Sequence, residues 1–310
     1  MNRSTPPAAS SGLAVAAGPM AAGAGARWRT ALSVFKVRIG VLIMVTALGG
    51  MAIVPGSRLG LLQVLVLALA VLVAAASAGA FNQFVEADAD RLMARTRGRA
   101  FASGALPCSA AWLAVIVGLI VLAVAVAAWV VNGLAALFVG LGAFTYGVVY
   151  TLWLKRRTAW NIVIGGLSGS FAVLAGAAAV DPQIPAQAWA LALVLFLWTP
   201  PHFWSLAIAV EADYRAAGVP MLPVVVGVER AARIVHASTL LLVASSFLPL
   251  LFGAGWLVGV GALLGGAHFL RCTRVLARAP ARKTAMTAFF ASMVQLSVLL
   301  LAVVIDAALR

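Results

Sequence analysis

The chain is written as long apolar runs separated by short polar segments. Runs of spanning length fall at about 38–54, 61–81, 111–131, 133–152, 160–180, 188–209, 235–252, 255–270 and 286–307. A helix needs roughly 20 mostly apolar residues to cross the hydrocarbon core, and these runs scatter around that length. Two divisions are narrow: Val131-Asn132-Gly133 separates the third run from the fourth, and Gly253-Ala254-Gly255 the seventh from the eighth. Left whole, either pair would be too long for one span, and the glycines mark a turn at each division. The pattern predicts an all-α integral membrane protein, a bundle of nine transmembrane helices.

Composition agrees. Of 310 residues, 64% are hydrophobic and 10% charged, with a mean hydropathy of +1.08. A soluble domain of this size is not so poor in polar surface. The net charge of +14 would suggest nucleic acid in a soluble protein. In a membrane protein it reports topology, and no nucleic-acid partner is expected. With nine helices, 20 of the 22 Lys and Arg residues fall on one side: the leader through Arg38 and the loops after helices two, four, six and eight. Only Arg58 and Arg310 fall opposite. One helix more or fewer would destroy that division, so the N-terminus is expected in the cytoplasm and the C-terminus outside. Cys108 and Cys272 then both face the reducing side, and no disulfide framework is indicated.

Residues 1–28, rich in Ala, Gly, Ser and Pro, read as a disordered cytoplasmic leader, with residues 29–310 as the membrane domain. Gly18-Pro19 and scattered glycines break the mildly apolar stretch that imitates a signal peptide. The lack of acids also suits an organelle transit peptide. Arginine outnumbers lysine 19 to 3, which with the alanine excess points to a GC-rich bacterial genome and so to a bacterial inner membrane.

Candidate chemistry begins where the second apolar run ends. Glu86, Asp88 and Asp90, three of only eight carboxylates in the chain, fall within Asn82–Asp90, and Arg91, Arg95, Arg97 and Arg99 follow at once. Acids at a membrane edge are costly and usually functional. Asn82, Glu86 and Asp90 recur every fourth residue and form one stripe of a helix, whereas Asp88 lies about 200° round the axis from Glu86. Hard oxygen ligands beside arginines suit a magnesium-bound phosphate or diphosphate, and manganese fits the same donors. The plain alternative is a solvated helix end; the density of acids argues for a ligand site.

A second acidic stretch, Glu211-Ala212-Asp213, follows helix six, four helices later. Each acidic stretch precedes a basic loop, and a purely basic loop comes two helices further on. That rhythm describes two four-helix pseudo-repeats plus a ninth helix. Helix six also contains Thr199-Pro200-Pro201-His202-Phe203-Trp204; its prolines should kink it and open the bundle core. His202 lies roughly 15 Å from the cytoplasmic end and nearly on the face of Asp213, while Glu211 points elsewhere in a regular helix. His202 reads equally as an imidazole tied to a backbone carbonyl and as a functional group. Lys155, Arg156 and Arg157 are within reach of the anion that Arg95 and Arg99 would bind, yet the positive-inside rule predicts such a triplet anywhere. Tyr146 and Tyr150 suit an interfacial aromatic belt. Gly165-Gly166 to Gly169 reads as close helix packing. His236 and His268 have no partner visible in the sequence.

The run Asn82-x3-Glu86-x3-Asp90-x2-Met93-x-Arg95-Thr96-x2-Arg99 resembles the signature of UbiA-type intramembrane prenyltransferases. Three segments look like the protohaem IX farnesyltransferase branch of that superfamily: the Asn82-Gln83 start with Glu86, Tyr150-Thr151-Leu152-Trp153-Leu154-Lys155-Arg156-Arg157-Thr158, and Trp198 through Trp204; Asp213-Tyr214 with Gly218-x-Pro220-Met221-Leu222-Pro223 agrees as well. Ala100 replaces a usual proline and Ala89 a bulkier residue, changes to the loop's shape that leave the ligand set intact. The resemblance implies a bundle of the UbiA prenyltransferase type whose cavity opens to the cytoplasmic side and to membrane lipid. It implies transfer of farnesyl from farnesyl diphosphate to a vinyl group of haem B, with water addition, giving haem O. Asn82, Glu86 and Asp90 would form one half of a magnesium clamp and Asp213, with Glu211, the other. Arg95, Arg99 and Lys155 would neutralise the diphosphate, Tyr150 and Tyr214 would line the substrate site, and His202 would orient the haem. Haem A synthase and the terminal oxidase are the implied partners. Two other functions compete: the same scaffold with a quinone precursor or chlorophyllide as acceptor, and a transporter gated by the kinked helix. The transporter expects polar access from both faces, whereas here the polar chemistry is on one.

Overall fold

The computed structural model describes residues 24–56 and 59–309. It begins with two helices, α1 (Ala24–Val34) and α2 (Val37–Ala52), that meet at a bend of 46°. Most of the stretch read as a leader lies outside the described residues; α1 already starts at Ala24, ahead of the boundary drawn at 29. There follow α3 (Leu61–Val85), α4 (Ala87–Leu92), α5 (Ala110–Val130) and α6 (Gly133–Phe144). A π-helical segment (Thr145–Leu154) continues α6, and α7 (Asn161–Gly165) leads into α8 (Leu167–Val180). The second half contains α9 (Ala186–Ala209), α10 (Glu211–Ala216), α11 (Leu222–Val226), α12 (Val228–Ser245), α13 (Leu248–Leu251), α14 (Trp256–Arg278) and α15 (Arg282–Leu309). Among the described residues, eight helical stretches are long and apolar enough to cross a membrane, and the bent α1–α2 pair makes up to nine. The chain is a multi-pass membrane protein.

The boundaries move where polar residues continue a helix beyond the apolar run. Helix α14 extends to Arg278 because Arg271, Arg274 and Arg278 stay exposed while Thr273 and Leu276 remain buried. Helix α12 starts at Val228, with Glu229, Arg230 and Arg233 outside and Ala231, Ala232 and Val235 inside. Such stripes are the expected signature of a helix end lying in the polar interface.

Helix α2 packs on α3 and α8, α8 on α9, α9 on α12 and α15, and α15 returns to α2, closing a ring. Small residues set its tightest crossing. A Cβ on Gly50 would lie 2.1 Å from the carbonyl oxygen of Val173, and one on Gly176 only 1.8 Å from that of Ala47. Lipid gives helices no hydrophobic reason to associate, so close backbone approach of this kind carries the packing.

The pseudo-repeat is visible in local detail. The 25-residue α3 breaks at Glu86 and resumes as the six-residue α4; the 24-residue α9 breaks at Val210 and resumes as the six-residue α10. After α4, the loop is pinned by Phe101, which is 1% exposed and packs edge-on against Phe84 (5.4 Å) and Trp112 (5.9 Å). That small core, with Val34, Ala80 and Ile116, fixes a segment that would otherwise hang free at the bundle's end.

Candidate active site

The stripe foreseen in the sequence survives the break at Glu86. The Glu86 N–H donates to Asn82 O (3.0 Å) and the Asp90 N–H to Glu86 O (2.8 Å), so the helical path is kept. Asn82, Glu86 and Asp90 are all buried. Asp88 is exposed and pairs with Arg91 at 2.8 Å, the bystander its angular position suggested.

Each of the three buried residues presents an oxygen that accepts from a cation. Lys36 Nζ donates to Asn82 Oδ1 (2.8 Å), Lys155 Nζ to Glu86 Oε2 (2.5 Å), and Arg99 to Asp90 Oδ2 (2.7 Å). The Asn82 amide also donates to Glu86 Oε2 (2.8 Å) and to Thr151 Oγ1 (3.2 Å). Asp90 Oδ1 is buried with no hydrogen-bond partner, a costly state for a carboxylate oxygen unless something else completes it.

The π-helical segment explains how one helix delivers several of these groups. Bonding from i to i+5 widens the turn, bringing residues four and five apart to one face. Thr151 Oγ1 donates to Tyr146 O (2.8 Å) and Lys155 N to Tyr150 O (2.9 Å). Tyr146 and Tyr150 stack at 5.6 Å, and Lys36 Nζ reaches the Tyr146 hydroxyl at 3.4 Å. Tyr146 therefore belongs to the site and not merely to an aromatic belt. Gly165 makes room for this: a Cβ there would lie 2.9 Å from the Tyr150 ring. Gly166 packs likewise against Thr199, but Gly169 has nothing within 4 Å and opens on the cavity, so the packing expected of the glycine series stops at Gly166.

The second acidic stretch reaches the same rim. The Asp213 carboxylate accepts from the backbone N–H of Ala94 (3.3 Å) and of Arg95 (3.4 Å), tying the end of helix six to the loop after helix two. Glu211 is bound by the exposed Arg215, not by a cation of the Asn82–Asp90 cluster. Tyr214 is buried, and that burial pushes its phenol up from the ordinary value, so it stays protonated at neutral pH. Arg95 is exposed and its side chain is free to swing towards an anion.

Beside this cluster is an apolar cavity of about 530 Å³, lined by Lys36, Tyr146, Tyr150, Trp198 and His202 among many aliphatic residues. That is within the usual range for a small-molecule site. Its wall includes none of Glu86, Asp90 and Asp213; Lys36 and the two tyrosines stand between. Helix α9 runs unbroken through Pro200 and Pro201, and Ser205 Oγ donates to Pro201 O (2.7 Å). His202 is not tied to a backbone carbonyl. Its Nδ1 bonds to Ser292 Oγ at 2.6 Å, from the last helix.

Lys36, Thr151 and Ser292 were not legible as site residues. One signal was available for the first: Lys36 and Lys155 are two of only three lysines in an arginine-rich chain, and the slender ammonium suits a buried point contact better than a guanidinium fork. No three His, Cys, Asp or Glu side chains among the described residues stand close enough to hold a metal unaided. The donors present nevertheless fit magnesium, which characteristically takes one or two carboxylates and completes its shell with substrate phosphate and water; the unpartnered Asp90 Oδ1 is a ready ligand.

Residues 43–294 match the family model for the UbiA prenyltransferase family. Two solved structures share the fold. A digeranylgeranylglyceryl phosphate synthase aligns with a TM-score of 0.74 at 18% identity, over 92% of this chain and 100% of that one. A UbiA homologue from Archaeoglobus fulgidus bound to DMAPP and Mg2+ aligns with a TM-score of 0.66 at 18% identity, over 88% and 97%. Fold and site together define an intramembrane prenyltransferase of the UbiA family, to which this chain belongs. Within the family it falls with the protohaem IX farnesyltransferases: it is 56% identical over 274 residues to protoheme IX farnesyltransferase 2 of Paramagnetospirillum magneticum, covering 88% of this chain and 95% of that relative.

Proposed function

We propose that the protein transfers the farnesyl group of farnesyl diphosphate to a vinyl group of protohaem IX, with addition of water, giving haem O and diphosphate. The observation that carries this reading is the buried Asn82–Glu86–Asp90 stripe, with its lysines, against an apolar cavity containing His202.

Asn82, Glu86, Asp90 and Asp213 would hold a divalent cation, magnesium or manganese. When bound, the metal supplies charge neutralisation to the diphosphate oxygens. Lys36, Lys155, Arg95 and Arg99 bind the same oxygens and stabilise the leaving group as the allylic C–O bond breaks. The aliphatic and aromatic wall keeps water from the farnesyl cation, and the faces of Tyr146, Tyr150 and Trp198 favour positive charge. The vinyl π-electrons attack C1, and water captures the cation left beside the macrocycle, releasing its proton to the diphosphate. Tyr214 stays a neutral donor at the rim. Glu211 acts at most by holding Arg215. His202 orients the haem in the apolar cavity.

The site is assigned to the cytoplasmic face of a bacterial inner membrane, with the N-terminus inside, the C-terminus outside and residues 29–310 as the catalytic unit. The 20-to-2 partition of basic residues supports that orientation. The product would be handed to haem A synthase or a terminal oxidase. Expression of the full chain in a host without haem O, followed by pigment extraction, tests the reaction. Haem O should appear; an unaltered haem pool, or prenylation of a quinone precursor instead, would refute it.

A further inference from the structure

His202 is held more completely than a packing residue requires. Its ring lies between Trp198 (centroids 4.1 Å apart, planes at 19°) and Phe289 (4.5 Å, 28°). Phe203 closes a third side edge-on at 5.2 Å. Trp198 is itself fixed, because its indole N–H donates to Ser292 O at 2.9 Å. Ser292, completely buried on α15, thus serves both rings: its carbonyl takes the indole and its hydroxyl takes the imidazole at 2.6 Å.

The proton count at Ser292 settles which nitrogen carries hydrogen. A serine hydroxyl has one proton and two lone pairs. Ser292 Oγ lies 2.6 Å from Phe289 O, and a carbonyl only accepts, so the hydroxyl proton is committed there. Towards His202 the hydroxyl can therefore only accept, and Nδ1 must donate. The neutral ring then carries its lone pair on Nε2. That nitrogen makes no hydrogen bond among the described residues and is not among the buried orphaned atoms, and the ring lines the cavity.

We infer that Ser292 is a positioning residue that locks His202 as the Nδ1–H tautomer, presenting Nε2 as an axial ligand for the iron of a metalloporphyrin. This deepens the proposed function and rests on it. A metal-bound imidazole commonly donates its other N–H to an oxygen that fixes tautomer and ring plane. The sandwich of Trp198 and Phe289 restricts the ring to one plane, and among the described residues that line the cavity His202 is the only imidazole, with no thiol beside it.

The test titrates ferric haem into the purified full-length protein and follows the absorption and electron paramagnetic resonance spectra. The wild type should give the signature of imidazole ligation. Ser292→Ala should weaken haem affinity about tenfold or more, the usual effect of removing such an outer partner, and change the spin state. Ser292→Thr should keep both. His202→Gly should lose the signature, and added imidazole should restore it. Farnesyl diphosphate affinity, measured on every variant, should not change and reports that the bundle is intact. A Ser292→Ala protein with wild-type affinity and spectrum overturns the positioning role, and a His202→Gly protein with an unchanged spectrum overturns the ligation. If haem O is formed in either case, the proposed reaction stands without this inference. A wild type that binds no haem removes both.

Discussion

Lys155 Nζ and Glu86 Oε2 are 2.5 Å apart, in contact across 69 positions of sequence with both side chains under 10% exposed. A buried pair of this kind is weak evidence for stability, because desolvation offsets much of its attraction, but breaking it leaves a naked charge. The pair therefore separates structure from chemistry. Lys155→Met should lower stability by about 3–5 kcal/mol and abolish turnover. The double variant Lys155→Met, Glu86→Gln should recover most of the stability, read as a melting temperature in detergent, and none of the turnover. Recovery of turnover would remove Lys155 and Glu86 from the machinery.

Gly79 controls Lys36. A Cβ there would lie 3.0 Å from both Cβ and Cδ of the Lys36 side chain, so Gly79→Ala should push the ammonium off Asn82. Loss of one charged hydrogen bond, about 1.5–3 kcal/mol, should raise the KM for farnesyl diphosphate at least tenfold. Lys36→Met should show the same loss, and combining the two should add little. Additive effects in steady-state kinetics would mean that Gly79 acts on something else.

Asp213 joins the two acidic stretches through the Ala94 and Arg95 amides. The two amides use different carboxylate oxygens, so Asn at this position keeps one of the two bonds and loses the other with the negative charge. Asp213→Asn should cost about 0.5–1.5 kcal/mol of stability, read as a small fall in melting temperature, and raise the half-saturating magnesium concentration by an order of magnitude. A normal magnesium titration would reduce Asp213 to a loop tether.

Gly165 and Gly169 sit four residues apart and should respond oppositely. Gly165→Ala drives a methyl into the Tyr150 ring at 2.9 Å and should cost about 1–3 kcal/mol, as overpacking does. Gly169→Ala meets nothing within 4 Å, so its melting temperature should be unchanged while the cavity narrows. Equal melting temperatures for the two would contradict the packing described here.

The spans and carboxylates were legible because both follow periodic rules: apolar length for the helices, and every-fourth-residue spacing for Asn82, Glu86 and Asp90. Asp88 could be set aside by its angle alone, whereas Glu211 was counted into the clamp through the resemblance although its angle in a regular helix pointed elsewhere. Among the cations, Arg95, Arg99 and Lys155 entered through the resemblance, and Lys36 was missed. It obeys the positive-inside rule as any interfacial base does, and only the rarity of lysine in this chain sets it apart. The π-helical turn that recruits Tyr146 was hidden for a related reason: its apolar residues satisfy a regular helix equally well. Ser292 lies 90 residues from His202 in an unremarkable apolar run, and only the closure of α15 against α9 brings them together.

Because Lys36 and Lys155 rest on the oxygens assigned to the metal, the protein carries its own internal counter-ions. Chelation should then leave a folded, reloadable enzyme, since the ammoniums spare the donors mutual repulsion. A divalent ion held by these residues would compete with the two ammoniums for Asn82 Oδ1 and Glu86 Oε2, and an ammonium released there would lie within reach of a phosphate.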